Sequence, residues 1–349
     1  MKLGLVGLPQ VGKRTLFSLL TGQDGDKVNL GLAKVRDTRF EKLVEMFHPK
    51  KETPAQMEFV LLPDMDTDAS RNAETLKGLE KVDVICYLAR VFEDDTVFHA
   101  EGDVNARRDI QALWDELILS DQIFVEKRLE RLAKEKRPND IARAAKETEL
   151  MTRMLTHLEE GHPLSQFVFS EEDEKLISSY PFLTRKAVMV VLNVGEDQLG
   201  DEHLIEELEQ EFTGKGFRWI AISAQIEQEV SQLDDEERTS FLEELGIEKP
   251  ALDRLTLLCY ETLGLMSYFT VGEDEVRAWT IQQGALAPVA GGVIHGDIER
   301  GFIRAEVMQF EDLIELGSEQ KVKAAGKFVL KGRDAVIDDG DIIHFLFKV

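Results

Sequence analysis

The stretch GLPQVGKRT, residues 7–15, decides how the rest of the chain is read. Its first seven residues match the G-x-x-x-x-G-K-[ST] pattern of a phosphate-binding loop. Its surroundings are those the pattern requires, a strand-like KLGLV before it and a helix-like RTLFSLLTG after it. In such a loop Gly7 and Gly12 let the backbone curl, so that N–H groups of Gly7, Gln10, Val11 and Gly12 point at phosphate oxygens. Lys13 would reach the β and γ phosphates, and the N-terminus of the following helix adds favourable partial charge. Arg14 is the departure. A phosphate loop ligates Mg²⁺ through a Ser or Thr hydroxyl at this position, and a guanidinium has no lone pair to offer a cation. Thr15 comes one residue later, rotated about 100° around the helix. Magnesium binding of the ordinary kind is therefore not expected. Arg14 has two courses open: folding toward the phosphate oxygens in place of the metal, or turning to solvent or an acidic neighbour.

Moving outward, residues 2–6, 56–62, 82–89, 187–193 and 217–223 are short apolar runs separated by helical or loop-like segments, the pattern of parallel strands buried on both faces. Helices are expected over 201–212 and 235–246, giving the alternation of a doubly wound α/β sheet. Nearly a hundred residues without a strand signal separate 82–89 from 187–193. Within them Ile110, Leu113, Leu117, Phe124, Leu129 and Leu132 recur at helical spacing, KRPND at 136–140 breaks the run, and Met151, Met154, Leu155 and Leu158 resume it. This predicts an inserted helical hairpin with arms of about 20 to 25 residues, roughly 30 to 37 Å long. Beyond about residue 266 the segments 275–281, 301–307, 327–330 and 342–348 read as strands of a small mixed sheet and 310–316 as a helix. The expected division is a phosphate-loop domain over 1–95 and 186–266, a helical hairpin domain over 96–185 and a C-terminal α+β domain over 267–349.

The net charge of −25 repels nucleic acid as a whole, so any RNA contact must be local. Lys127, Arg128 and Arg131 on the hairpin are the cluster that could make one. No run approaches the 18 or so apolar residues of a membrane span, and the N-terminus reads as a strand without a signal peptide. Cys86 and Cys259 lie far apart in apolar stretches, as buried thiols in a reducing compartment do. A cytoplasmic protein with no membrane partner is expected.

With these residues in view, GLPQVGKRTLFSLLTG resembles the GLPNVGKSTLFNALT loop of the YchF/Obg-like ATPase family. The resemblance continues through FEDD (92–95), EGDVNARRDI (101–110), DELILSD (115–121), VEKRLERL (125–132), NVGE (193–196), LDDEER (233–238), EVRAWTI (275–281), GVIHGDIERGFIRAEV (292–307) and DDGDIIHF (338–345). It implies a P-loop NTPase α/β domain interrupted by a helical hairpin and followed by a TGS domain of β-grasp fold. It also implies binding and slow hydrolysis of ATP, sometimes GTP, and association with ribosomes. In NVGE, Val194 stands where guanine-specific proteins have Lys, and Glu196 where they have the Asp that reads guanine. Adenine tolerance with weak guanine discrimination is implied, with Asn193 as a base contact or a cap on the strand end.

Where the family reads EFVDIAGL this chain reads EFVLLPDM, placing Leu61 at the Asp position near the metal and Asp64 at the Gly position near the γ-phosphate. The switch after it is shortened to DTDASRNAETLKGLEK, and the first switch is reduced to TGQDGDKVNLG. His295 reads as a turn residue and His99 as a structural residue at the entry to the hairpin. Three readings stay open. The leading one is a nucleotide-binding regulatory factor around translation with weak or absent hydrolysis. The second is a working ATPase or GTPase in which Thr15 and Asp64 or Asp66 take over metal duties. The third is a scaffold with an empty loop that binds a protein partner through the hairpin or the C-terminal domain.

Overall fold

The computed structural model describes residues 1–134, 141–234, 237–238, 240–241 and 250–348. The KRPND break lies outside the described residues, as does most of the helix expected over 235–246. The strands, in chain order, are β1 (Lys2–Val6), β2 (Leu30–Lys34), β3 (Lys51–Thr53), β4 (Gln56–Leu61), β5 (Val84–Arg90), β6 (Ala187–Asn193), β7 (Arg218–Ile222), β8 (Leu265–Thr270), β9 (Glu275–Gln282), β10 (Phe302–Met308), β11 (Val329–Lys331) and β12 (Ile342–Phe347). The chain clusters into two compact units, Met1–Gly31 with Glu58–Leu252, and Leu32–Met57 with Asp253–Val349.

One six-stranded sheet has the order β2-β4-β1-β5-β6-β7, with β1, β5, β6 and β7 wholly in the first unit; β1 runs parallel to β4 and β5, β5 to β6, and β6 to β7. Every residue of β5 is buried, and so are all but the first residues of β1 and β6. Strands covered on both faces have no reason to alternate, which is why the sequence shows apolar runs there. This is the phosphate-loop α/β fold. The inserted segment forms a 29-residue helix, Ala106–Lys134, about 43 Å long, and a return helix, Ile141–Glu159. Leu117, Val125 and Leu132 on the first and Leu150, Met151, Met154 and Leu158 on the second are buried, so the helical periodicity marks the packed faces. Two polar devices fix the hairpin. Glu147, 4% exposed, takes both Nε and Nη2 of Arg128 at 2.7 and 3.0 Å and the hydroxyl of Tyr180. Asp121, 2% exposed, accepts the amides of Leu183 and Thr184 at 2.8 Å each and the Thr184 hydroxyl at 2.7 Å. Of the expected basic cluster, Lys127 and Arg131 are exposed, whereas Arg128 is committed to Glu147.

The second unit holds a mixed sheet of order β11-β10-β12-β8-β9-β3, with β12 parallel to β8, β3 parallel to β9, and β10-β11, β10-β12 and β8-β9 antiparallel. The helix Phe310–Leu316 has the expected limits. Residues 32–57, assigned in the sequence to the phosphate-loop domain, cluster here because β3 pairs Lys51–Thr53 with Glu275–Arg277 and Arg39 joins Asp37 to Asp339. The unit also begins earlier than residue 267, since the Tyr260 hydroxyl bonds the side chains of Ser267 and Thr280.

Burial pushes the Asp121 carboxyl up to about 6, outweighing the hydrogen bonds it accepts. A folded-state value above the unfolded one means that the native chain binds the extra proton between about pH 4 and 6. The contribution of this group to stability therefore falls as pH rises through that window. In Asp121→Asn the decline attributable to this group should vanish. The change in unfolding free energy between pH 4 and 6.5, from urea titrations, should then differ from wild type by about 2 kcal/mol. An identical change in both proteins would show that Asp121 does not titrate there.

Candidate functional site

The loop that follows β1 is held by its glycines and by Asn193. A Cβ on Gly7 would meet the Leu88 carbonyl oxygen at 2.5 Å, so the loop starts against the β5 backbone at a distance only glycine allows. Gln10 and Gly12 take positive φ values of 59° and 95°, curling the backbone as a phosphate cradle must. Gly12 begins the helix Lys13–Thr21 with no side-chain cap, leaving the first-turn amides for an anion. Asn193, 4% exposed at the end of β6, donates from Nδ2 to the Val11 carbonyl at 2.9 Å and accepts the Ala224 amide on Oδ1 at 3.0 Å. A Cβ on Gly12 would meet that Nδ2 at 2.5 Å. Asn193 therefore links the loop, β6 and the turn after β7. The sequence marks Asn193 as a base contact or strand cap and does not mark Ser223 or Ala224. Ser223 caps the helix Ala224–Val230 through the Ile226 amide, and a Ser closing an apolar strand was the signal available.

Lys13 is 5% exposed. Its ammonium donates to the Leu62 carbonyl at 3.1 Å and pairs with Asp64 Oδ1 at 2.7 Å. Desolvation lowers its pKa, while Asp64 opposes the shift. The segment carrying Asp64 is pinned: the Leu62 amide bonds the Leu5 carbonyl at 3.0 Å, the Met65 amide the Gly7 carbonyl at 2.9 Å, and the Thr75 hydroxyl the Pro63 carbonyl at 3.3 Å.

Arg14 is exposed. Its guanidinium pairs with Asp26, both side chains being about two-thirds exposed. The turn that carries Asp26 packs on the helix, where a Cβ on Gly25 would lie 3.3 Å from the Arg14 carbonyl oxygen, so the shortened first switch brings its carboxylate to the arginine. The residues present do not fit Mg²⁺. Position 14 offers no hydroxyl, Leu61 no carboxylate, Asp64 is engaged by Lys13, and Thr15 is half-buried in the first turn. Among the described residues no group of three His, Cys, Asp or Glu could hold a metal ion. Asp66 is tied to Arg71 at 3.1 Å, and Glu196 is exposed at the start of a short turn beyond β6. His99 is buried with Nε2 3.2 Å from Asp109 Oδ2, and His295 caps a short helix through the Asp297 amide.

A family model described as YchF-GTPase_C, protein of unknown function (DUF933), matches residues 265–348. The chain is similar to the ribosome-binding ATPase YchF of Bacillus subtilis, 39% identical over 362 residues and covering 99% of each chain. It is similar to the protein of the same name from Haemophilus influenzae, 37% identical over 361 residues, 100% of this chain and 99% of that one. The solved YchF GTPase of Schizosaccharomyces pombe superposes with a TM-score of 0.85 at 30% identity, covering 99% of this chain and 97% of that one. No described helix is long and apolar enough to cross a membrane.

Replacing Asn193 by Ala leaves the Val11 carbonyl and the Ala224 amide buried without their partner, a loss of about 2–4 kcal/mol. Urea unfolding of Asn193→Ala should show it, and a loss below about 0.5 kcal/mol would mean the clamp is dispensable.

Proposed function

The chain belongs to the YchF family, and from that premise we propose that it is a nucleotide-binding, ribosome-associated factor whose hydrolysis of ATP or GTP is very slow or absent. The curled loop, its uncapped helix and the buried Lys13 support phosphate binding. The names of the relatives, ribosome-binding ATPases, support both nucleotide and ribosome as partners, and a cytoplasmic location suits that role. The residues in contact with a nucleotide are Gly7, Gln10, Val11, Gly12, Lys13 and Thr15. Arg14 joins them by exchanging Asp26 for phosphate, and Glu196 borders the base.

The observation that carries the weak-hydrolysis reading is the pair Lys13–Asp64. Phosphoryl transfer depends on positioning and charge stabilisation of the γ-phosphoryl group, which in P-loop enzymes come from Mg²⁺, the lysine and the switch contacts. Here the metal donors are missing and the lysine is already engaged by a carboxylate. Val194 and Glu196 in place of Lys and Asp support tolerance of adenine with little discrimination against guanine.

Phosphate release under multiple turnover should be no faster than on the order of 10⁻³ s⁻¹, near an unassisted P-loop GTPase, while Lys13→Ala abolishes nucleotide binding. Robust magnesium-dependent turnover that disappears in Lys13→Ala would establish a working enzyme instead. Since the overall charge repels RNA, reversing Lys127 and Arg131 together should weaken co-sedimentation with ribosomes and flatten its salt dependence. Unchanged sedimentation would remove the hairpin as the contact.

A further inference from the structure

We infer that Asp64 makes this site select nucleoside diphosphates over triphosphates. The inference rests on the reading of the loop as a nucleotide site and adds which phosphate chain the site accepts. An ammonium has three N–H donors. In Lys13 one is given to Asp64 Oδ1 at 2.7 Å and a second to the Leu62 carbonyl at 3.1 Å. One donor remains, enough for a β-phosphate oxygen and not for the γ group as well.

Asp64 cannot simply swing away with its backbone, because Leu62, Pro63 and Met65 are each hydrogen-bonded to β1, to the phosphate loop or to the helix Ala73–Leu79. The lysine side chain is 4% exposed and the carboxylate 44%, so the negative group lies at the solvent side of the buried positive one. A γ-phosphoryl group reaching for Lys13 would meet like charge there. Position 14 has no metal-binding hydroxyl and Leu61 has no carboxylate for a metal shell, so no divalent cation held by these two positions offsets it, and Arg14 offsets it only by giving up Asp26. A diphosphate that ends at the loop amides and the third donor of Lys13 avoids that repulsion. The carboxylate thus takes the place at the lysine that a terminal phosphate would otherwise occupy.

The test is calorimetric titration of the full chain with ADP, ATP, GDP and GTP, each in excess EDTA and in Mg²⁺, for wild type, Asp64→Asn and Asp64→Gly. Wild type should bind each diphosphate at least tenfold more tightly than its triphosphate in both buffers. Asp64→Asn should lose most of that ratio, and Asp64→Gly should abolish it, mainly through tighter triphosphate binding. Equal affinities in wild type, a preference for triphosphate in Mg²⁺, or a ratio unchanged in both variants would overturn the inference while leaving the site a nucleotide site. Absence of binding by all four nucleotides would overturn the nucleotide reading itself, and the inference with it.

Discussion

Lys13 brings a full positive charge to a position that is 5% exposed, and the fold must answer that charge. A buried ammonium without a partner costs far more than a small domain can spare, so it is either neutralised by titration or met by oxygen atoms. In a working P-loop the oxygens arrive with the nucleotide. Here the protein supplies two of its own, the Leu62 carbonyl and the Asp64 carboxylate, from a segment hydrogen-bonded to β1 and to the loop. The segment after β4, the register of β1 against β4 and the loop conformation therefore depend on one another through a single side chain.

The altered positions form a set with one electrostatic logic. Without a hydroxyl at position 14 and a carboxylate at position 61 the protein offers a divalent cation two fewer oxygen ligands, and on the proposed reading a triphosphate then has less positive charge to meet. An Asp at position 64 would be costly in a site that had to admit a γ-phosphate. On the proposed reading the site does not admit one, and there the carboxylate satisfies the lysine. Arg14, which would be a mild liability in the first turn of a helix if unpaired, is balanced by Asp26 from the shortened first switch.

Much of this was legible in the sequence. The strand-loop-helix context of GLPQVGK, the apolar runs at β1, β4, β5, β6 and β7, the hairpin and the helix Phe310–Leu316 all follow from period and punctuation, because burial on one or both faces leaves a pattern. What escaped was what patterns do not encode. The three residues of β3, KET, have no apolar signal, and their pairing with β9 is set by partners more than two hundred positions away. The amide of Asn193 bonds two backbone groups, the Val11 carbonyl and the Ala224 amide, and that pairing rests on the closeness of Gly12, which no sequence pattern records. Asp64 was visible as a replacement for glycine and as a weak metal ligand. Its ion pair with Lys13 was not, since 2.7 Å across the site is a property of the pinned segment and not of the residue type.

On the proposed reading this loop holds phosphate through backbone amides and Lys13 with no divalent cation, while Lys13 stays bound to Asp64. A crystal structure of the chain with ADP grown in Mn²⁺, with anomalous data, addresses it most directly. Expected are the β-phosphate on the amides of residues 10–15, Lys13 bridging it to Asp64, and no anomalous peak beside Thr15 or Arg14. A manganese ion ligated by Thr15 and the β-phosphate, with Asp64 released from Lys13, would contradict it.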